Sequence, residues 1–235
     1  MLDRLIEPFR RFGTIAGALY LLDRGARRAG LPLGFSHHLL VAQPVQTSPR
    51  LPAKRGQSIA TRALAPGDPA LTALDAPPSV AAFRFGQGAY CLGAFKGDEP
   101  IGALWLAFDR FDEDIFRLRF ELEPRGRCAW DLGLHVVPAH RGSLAFARLW
   151  DAADALMRAR GVAWTLSRVA SVNTLSNASH ARLGAVTIGT LAVIRVGRAQ
   201  VYVTSRPWRL RLSSRRGALV TLTLRAPGEH GIGGA

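Results

Sequence analysis

The run Val136-Val137-Pro138-Ala139-His140-Arg141-Gly142-Ser143 joins an apolar segment to the clearest amphipathic stretch of the chain. A strand that ends in a short Arg-Gly turn and opens a helix presents backbone amides with no intrahelical partner. The aligned peptide dipoles add partial positive charge at the same place. The chemistry this offers is the holding of an anion, and a phosphorylated ligand is expected at residues 141–146. Other reactive residue types are placed less tellingly. His37-His38 precedes a strand with no Cys or carboxylate at ligand spacing, so no metal is expected there. His135 sits inside a strand and reads as a satisfied buried imidazole, with lining of a cleft as the alternative. Ser143 and Ser176 lack a nucleophile-elbow context, so a serine hydrolase is disfavoured.

The elements that position this turn follow from apolar spacing. Leu144 to Arg160 is helical, with Leu144, Ala147, Leu149, Ala152, Ala155, Leu156 and Ala159 as its apolar surface and Gly161 as its stop. Strands are expected at 129–137 and 162–169, and a short helix at 173–183. Upstream, Ser58 to Leu64 reads as a strand. Pro66-Gly67-Asp68 turns the chain, and Asp68 caps a short helix through Leu74. Ala89 to Phe95 and Ile101 to Phe108 form a hairpin about Lys96-Gly97-Asp98. Phe116 to Leu122 alternates apolar and charged residues as a half-buried strand does. Residues 2–29 have helical spacing, with Pro8 as a kink or start. Leu39 to Ala42 is a short strand, and 47–56 is a linker that marks a domain boundary. Val186 to Val196 and Gln200 to Thr204 form a hairpin, and Trp208 to Leu212 with Leu219 to Leu224 form another, turned at 214–217. The last ten residues are expected to be disordered.

Composition sets the frame. The 235 residues are 48% hydrophobic and 20% charged, as in an ordinary globular protein. Cys91 and Cys128 are too few for a disulfide framework and read as free core thiols. No stretch approaches the ~20 apolar residues needed to span a bilayer. The N-terminal segment lacks the form of a signal peptide. Net charge is +14, and Arg supplies 29 of the 31 basic residues. Residues 1–56 carry +6 and residues 195–235 carry +7, against +1 for the whole middle. The basicity therefore belongs to the flanks, where it forms either a solvated face or a footprint for an anionic surface.

Three motifs combine into a resemblance. Val136-x-Pro138-x-x-Arg141-Gly142 precedes the best helix, Asn173-x-x-Ser176-x-x-x-His180-x-x-x-Gly184 follows some thirty residues later, and Arg62 to Ala73 stands well upstream. Their order and spacing resemble the GNAT (N-acetyltransferase) superfamily over roughly 58–206. The resemblance implies an α+β fold with a mixed, mostly antiparallel central sheet flanked by helices. It implies acetyl-CoA as co-substrate and no metal. Backbone groups at Val136 and Val137 would meet the pantetheine arm. Amides of Arg141, Gly142, Ser143, Leu144, Ala145 and Phe146 would wrap the pyrophosphate, and Asn173 would contact the cofactor arm or brace the strands. His180 stands where the family often has the tyrosine that protonates the departing thiolate. Asp131 stands near where a carboxylate serves as base. Leu144 and Phe146 replace the family's later loop glycines, and His180 replaces its Tyr, so this chain departs from the pattern at three positions.

The expected organisation is an amphipathic helical extension (1–34), a strand and linker (35–57), a GNAT-like acyl-CoA-binding domain (58–206) and a basic extension with a tail (207–235). The expected function is transfer of acetyl from acetyl-CoA to a small-molecule or peptide amine, in the cytoplasm. The alternative is a protein of this fold with another acyl donor, or a non-catalytic binding module whose basic flanks touch an anionic partner or the inner membrane face. Nucleic acid is disfavoured, since no helix-turn-helix, finger or RNP pattern is present.

Overall fold

A computed structural model describes residues 3–74, 77–205, 208–214 and 219–228. In chain order the elements are α1 (Asp3–Phe12), α2 (Thr14–Arg28), β1 (Leu33–Pro44), β2 (Ile59–Leu64), α3 (Pro69–Ala73), α4 (Pro78–Gly86), β3 (Tyr90–Lys96) and β4 (Glu99–Phe108). There follow β5 (Arg110–Asp112), β6 (Leu118–Glu123), β7 (Cys128–Val136), a 3-10 turn (Pro138–His140), α5 (Ala145–Ala159), β8 (Trp164–Ala170) and α6 (Thr174–Arg182). The chain closes with β9 (Val186–Val196), β10 (Ala199–Ser205), β11 (Trp208–Ser213) and β12 (Val220–Arg225). The fold is α+β, with mostly antiparallel sheet flanked by helices. The chain forms two compact units, one of Met1–Gln43, Ile115–Arg119 and Ser167–Ala235, the other of Pro44–Asp114 and Phe120–Leu166.

In the first unit β1 pairs antiparallel with β9 over ten residues, from Leu33↔Val196 to Ala42↔Val186. β9 turns into β10 at Gly197, and β10 pairs with β11. Leu40, Ala42, Leu191, Val193 and Tyr202 are fully buried here. The helical segment at the N-terminus is two helices, not one. The break falls at Gly13, while Pro8 lies within α1. α1 crosses α2 at Gly17, where a β-carbon would lie 2.9 Å from the backbone of Phe9 and Pro8. The strand expected at 39–42 is three times as long, because Ser36, His37 and His38 find polar partners that make an extended polar stretch tolerable. β11 and β12 are not a hairpin. β11 continues the sheet beside β10, and Val220 donates its amide to the Arg117 carbonyl instead. The turn expected between them lies mostly outside the described residues, as does most of the disordered tail expected at 226–235.

In the second unit the strand order is β7-β4-β3-β2, all antiparallel, and α5 packs on this sheet. Asp68 caps α3 as expected, its Oδ1 accepting from the Ala70 amide at 3.0 Å. The core is built from Ile101, Leu104, Leu106, Leu149, Trp150 and Met157, with Phe120 stacked on Trp130 at 4.2 Å between centroids. Helix α5 is where its spacing put it, but it buries a different face. Ala145, Leu149, Trp150, Ala153 and Met157 are buried, whereas Ala155 and Ala159 are exposed. Alanines run round the whole helix and mark no side; Trp150 and Met157, whose burial removes far more apolar area, set the orientation. Cys91 and Cys128 are buried free thiols, and burial pushes them up to about 12 and about 11.

Candidate acyl-CoA loop and its surroundings

The loop between β7 and α5 lies wholly in the second unit. β7 pairs with β4 through Gly102↔Val136, and the Val137 amide donates to the Ile101 carbonyl at 3.0 Å, so pairing persists into the turn. Gly102 faces α5. A β-carbon there would lie 2.8 Å from the His135 carbonyl oxygen and in contact with Leu149 and Val136. After the 3-10 turn, Gly142 takes φ +86°, a backbone conformation that L side chains rarely adopt, with open space where a β-carbon would stand.

The Ser143 Oγ accepts from the Ala145 amide at 3.2 Å, and the first helical bond is Arg148 N–H to the Leu144 carbonyl at 2.9 Å. The amides of Phe146 and Ala147 precede that bond and so belong to the unsatisfied first turn. No acidic residue occupies that turn, so the dipole there is not countered from within the helix. Gly142 and Ser143 are exposed, and Leu144 and Phe146 are half-buried. The Arg141 guanidinium folds back, its Nε donating to the Val136 carbonyl at 3.4 Å. This closes the loop on itself and places a permanent positive charge beside the strand end.

One feature of β7 was not read from the sequence. Trp105 pairs with Gly133 but Leu106 pairs with Asp131, so Leu132 is an extra residue that makes a bulge. Gly133 has φ +139°, and its amide donates to Asp131 Oδ1 at 2.8 Å. The sequence signal was Asp-Leu-Gly inside an apolar strand, since a glycine within a strand often marks a bulge. Asp131 is 4% exposed, so the bulge holds its carboxylate in a desolvated place just before the strand turns toward the loop.

Asn173 and His180 belong to the first unit. Asn173 is the N-cap of α6, its Oδ1 accepting from the Ser176 amide at 3.1 Å. The residue has a structural job whatever else it does. His180 is half-buried in the last turn of α6, and its carbonyl accepts from the Leu183 and Ala185 amides. The structure thus gathers Val136 to Phe146 on one loop, sets Asp131 upstream on the same strand, and carries Asn173 and His180 on α6.

No family model and no curated protein matches the sequence. Solved structures similar in fold include a functionally unknown conserved protein from Staphylococcus epidermidis, 12% identical with a TM-score of 0.52, covering 75% of this chain and 66% of that one. They also include a putative acetyltransferase of the GNAT family from Novosphingobium aromaticivorans, at 19% identity and TM-score 0.47, covering 68% and 63%. A tandem GNAT protein from the clavulanic acid biosynthesis pathway is similar at 19% identity and TM-score 0.46, covering 69% and 54%. These are likenesses of fold alone. The chain spans two thirds or less of the length of these structures. Among the described residues no helix is long and apolar enough to cross a membrane.

Proposed function

We propose that the protein is an acyl-CoA-dependent N-acyltransferase, moving acetyl from acetyl-CoA to a small-molecule or peptide amine. The observation that carries this reading is the β7–α5 loop, with open first-turn amides, Gly142 at positive φ and no acidic residue in the first turn. The Ser143 amide is held by the His140 carbonyl and that of Ala145 by Ser143 Oγ, so the amides of Gly142, Leu144 and Phe146 are the ones that suit a pyrophosphate, and the strand end at Val136 and Val137 suits an extended arm. In the reaction the amine nitrogen attacks the thioester carbonyl, the C–S bond breaks, and the thiolate leaves with the sulfur electron pair. Asp131 is the proposed acceptor of the amine's proton and His180 the proposed donor to the thiolate. Asn173 is proposed to contact the cofactor arm. An oriented amide at the strand end, other than that of Val137, which the Ile101 carbonyl already holds, would stabilise the developing oxyanion.

Half-buried Leu144 and Phe146, in place of small residues, favour a second reading in which the donor is a different acyl-CoA. Calorimetric titration of the full chain with acetyl-CoA tests the first reading, and Ser143→Asp sharpens it. A carboxylate at that position can still accept the Ala145 amide and complements the helix dipole, so the melting temperature holds or rises. The same charge repels a pyrophosphate, so affinity falls about tenfold, or ~1.4 kcal/mol. No binding heat at millimolar acetyl-CoA, or unchanged affinity in the variant, overturns the assignment.

A further inference from the structure

The basic N-terminal flank is not a uniformly solvated face. Along α2, Ala16, Tyr20, Arg24 and Arg28 recur every fourth residue and so form one stripe. That stripe walls a groove of about 510 Å³, floored by Phe35 and His37 of β1 and closed by Ala170 and Val172, all within the first unit. The volume lies in the range of small-molecule sites, about 300–1,000 Å³.

The groove is built from both ends. Asp23 accepts from the Phe35 amide at 2.9 Å and pairs with Arg27 at 2.7 Å, which fastens α2 to the start of β1 and cancels one of the three arginines. Phe12 of α1 meets Tyr20 edge-on, 5.6 Å between centroids, and so fixes the phenol. His37 Nδ1 is bonded to Ser171 Oγ at 2.7 Å, and its carbonyl accepts from the Ser171 amide. The other ring nitrogen is the one left for the groove. Arg24 and Arg28 have no protein partner among the described residues. Burial lowers the His37 pKa, which keeps its ring neutral and a hydrogen-bonding group. The lining therefore carries a charge of +2, from Arg24, Arg27 and Arg28 less Asp23.

The helix dipole accounts for basic residues in the last turn, Arg27 and Arg28. It does not account for Arg24 one turn earlier, where two like charges four apart cost the helix a few tenths of a kcal/mol, about 0.2–0.5. Nor does it account for a concave floor beside them. We propose that this groove is a second ligand site, distinct from the β7–α5 loop, that binds a small phosphate monoester. Arg24 and Arg28 would hold the dianion, Tyr20 and His37 would bond its remaining oxygens, and Phe35 with Val172 would pack on the ligand's apolar body. Two unpaired guanidiniums match the charge of the dianion, and planar forks match its oxygens.

The test is arginine modification by phenylglyoxal on the full chain, mapped by peptide mass spectrometry, with phenyl phosphate as the probe. The expected result is several-fold slower modification of Arg24 and Arg28, while Arg209 and Arg211 on exposed β11 react as before. Benzoate, a monoanion of similar body, protects less. Arg24→Gln/Arg28→Gln, checked for folding by circular dichroism, loses the thermal shift that phenyl phosphate gives, and Ser143→Asp keeps it. That contrast separates this groove from the acyl-CoA loop, on which the proposal does not depend. Vesicles of phosphatidylcholine and phosphatidylglycerol form the second arm. Protection by phenyl phosphate, with or without vesicles, supports the site. Protection by vesicles alone, or by neither, overturns it.

Discussion

Lowering the pH should unfold this protein through one imidazole in particular. His38 is 5% exposed on β1. Its Nδ1 lies 3.0 Å from an Arg168 nitrogen and its Nε2 lies 3.0 Å from Ser36 Oγ. Arginine can only donate, so Nδ1 is the acceptor, and the ring proton sits on Nε2 and points to Ser36. Phe116 closes the cluster, edge-on to His38 at 5.6 Å and under the Arg168 guanidinium at 4.9 Å. A second proton would place a buried cation against a fixed one. Burial first, then Arg168 and His37, lower the His38 pKa to about 3.

The folded pKa is depressed below the unfolded value of ~6.5, so between those limits the unfolded chain binds a proton that the folded chain refuses. Stability is therefore complete above pH 6.5 and is lost as pH falls toward 3. The slope is at most about 1.4 kcal/mol per pH unit and the total at most about 5 kcal/mol. Urea unfolding at a series of pH values from 6 to 4.5 reads the effect before most carboxylates protonate. Over that range the protein should lose about 2 kcal/mol more than His38→Gln. The glutamine amide can accept from Arg168 and donate to Ser36 without titrating. Equal losses in the two proteins would refute the argument, as would a His38 pKa near 6.5 measured by NMR.

Two other perturbations test the packing around the sites. Arg50 and Asp154 form an ion pair at 2.8 Å with side chains 15% and 2% exposed, and burial raises the Asp154 pKa. Arg50→Ala strands that carboxylate and should cost about 3–5 kcal/mol by urea unfolding, while Arg50→Met/Asp154→Leu should cost clearly less; equal costs would show that lost packing, not charge, dominates. Gly17→Ala pushes a β-carbon to 2.9 Å from the backbone of Phe9 and Pro8, and should destabilise by about 1–3 kcal/mol and speed proteolysis in residues 3–13. Unchanged cleavage there would mean that α1 does not depend on this crossing.

How much could be read from the chain depended on whether a residue's partner lay nearby. The β3–β4 and β9–β10 hairpins, the Asp68 cap and α5 were legible because turn, cap and period act over a few residues. The turn that joins β7 to α5 was legible for the same reason. The buried side of α5 was not, because alanine marks no face. The bulge at Leu132 changes the register of a strand whose apolar content looks continuous.

The length of β1 was least legible of all. Its first half is Gly34, Phe35, Ser36, His37 and His38, and what makes that stretch a strand is Arg168 and Ser171, some 130 residues away. The strand's period then assigns those two histidines opposite tasks. Neighbours on a strand face opposite sides, so His38 enters the Arg168–Phe116 cluster while His37 floors the groove under α2. In sequence the pair His37-His38 invites a single explanation, a metal or none. In the fold the two residues share no function. One stays neutral against the fixed charge of Arg168, and the other is held by Ser171 where Tyr20, Arg24 and Arg28 converge. A substitution at His38 should therefore change stability with pH and leave protection of Arg24 and Arg28 intact, whereas His37→Phe should weaken that protection and leave the His38-dependent slope in place.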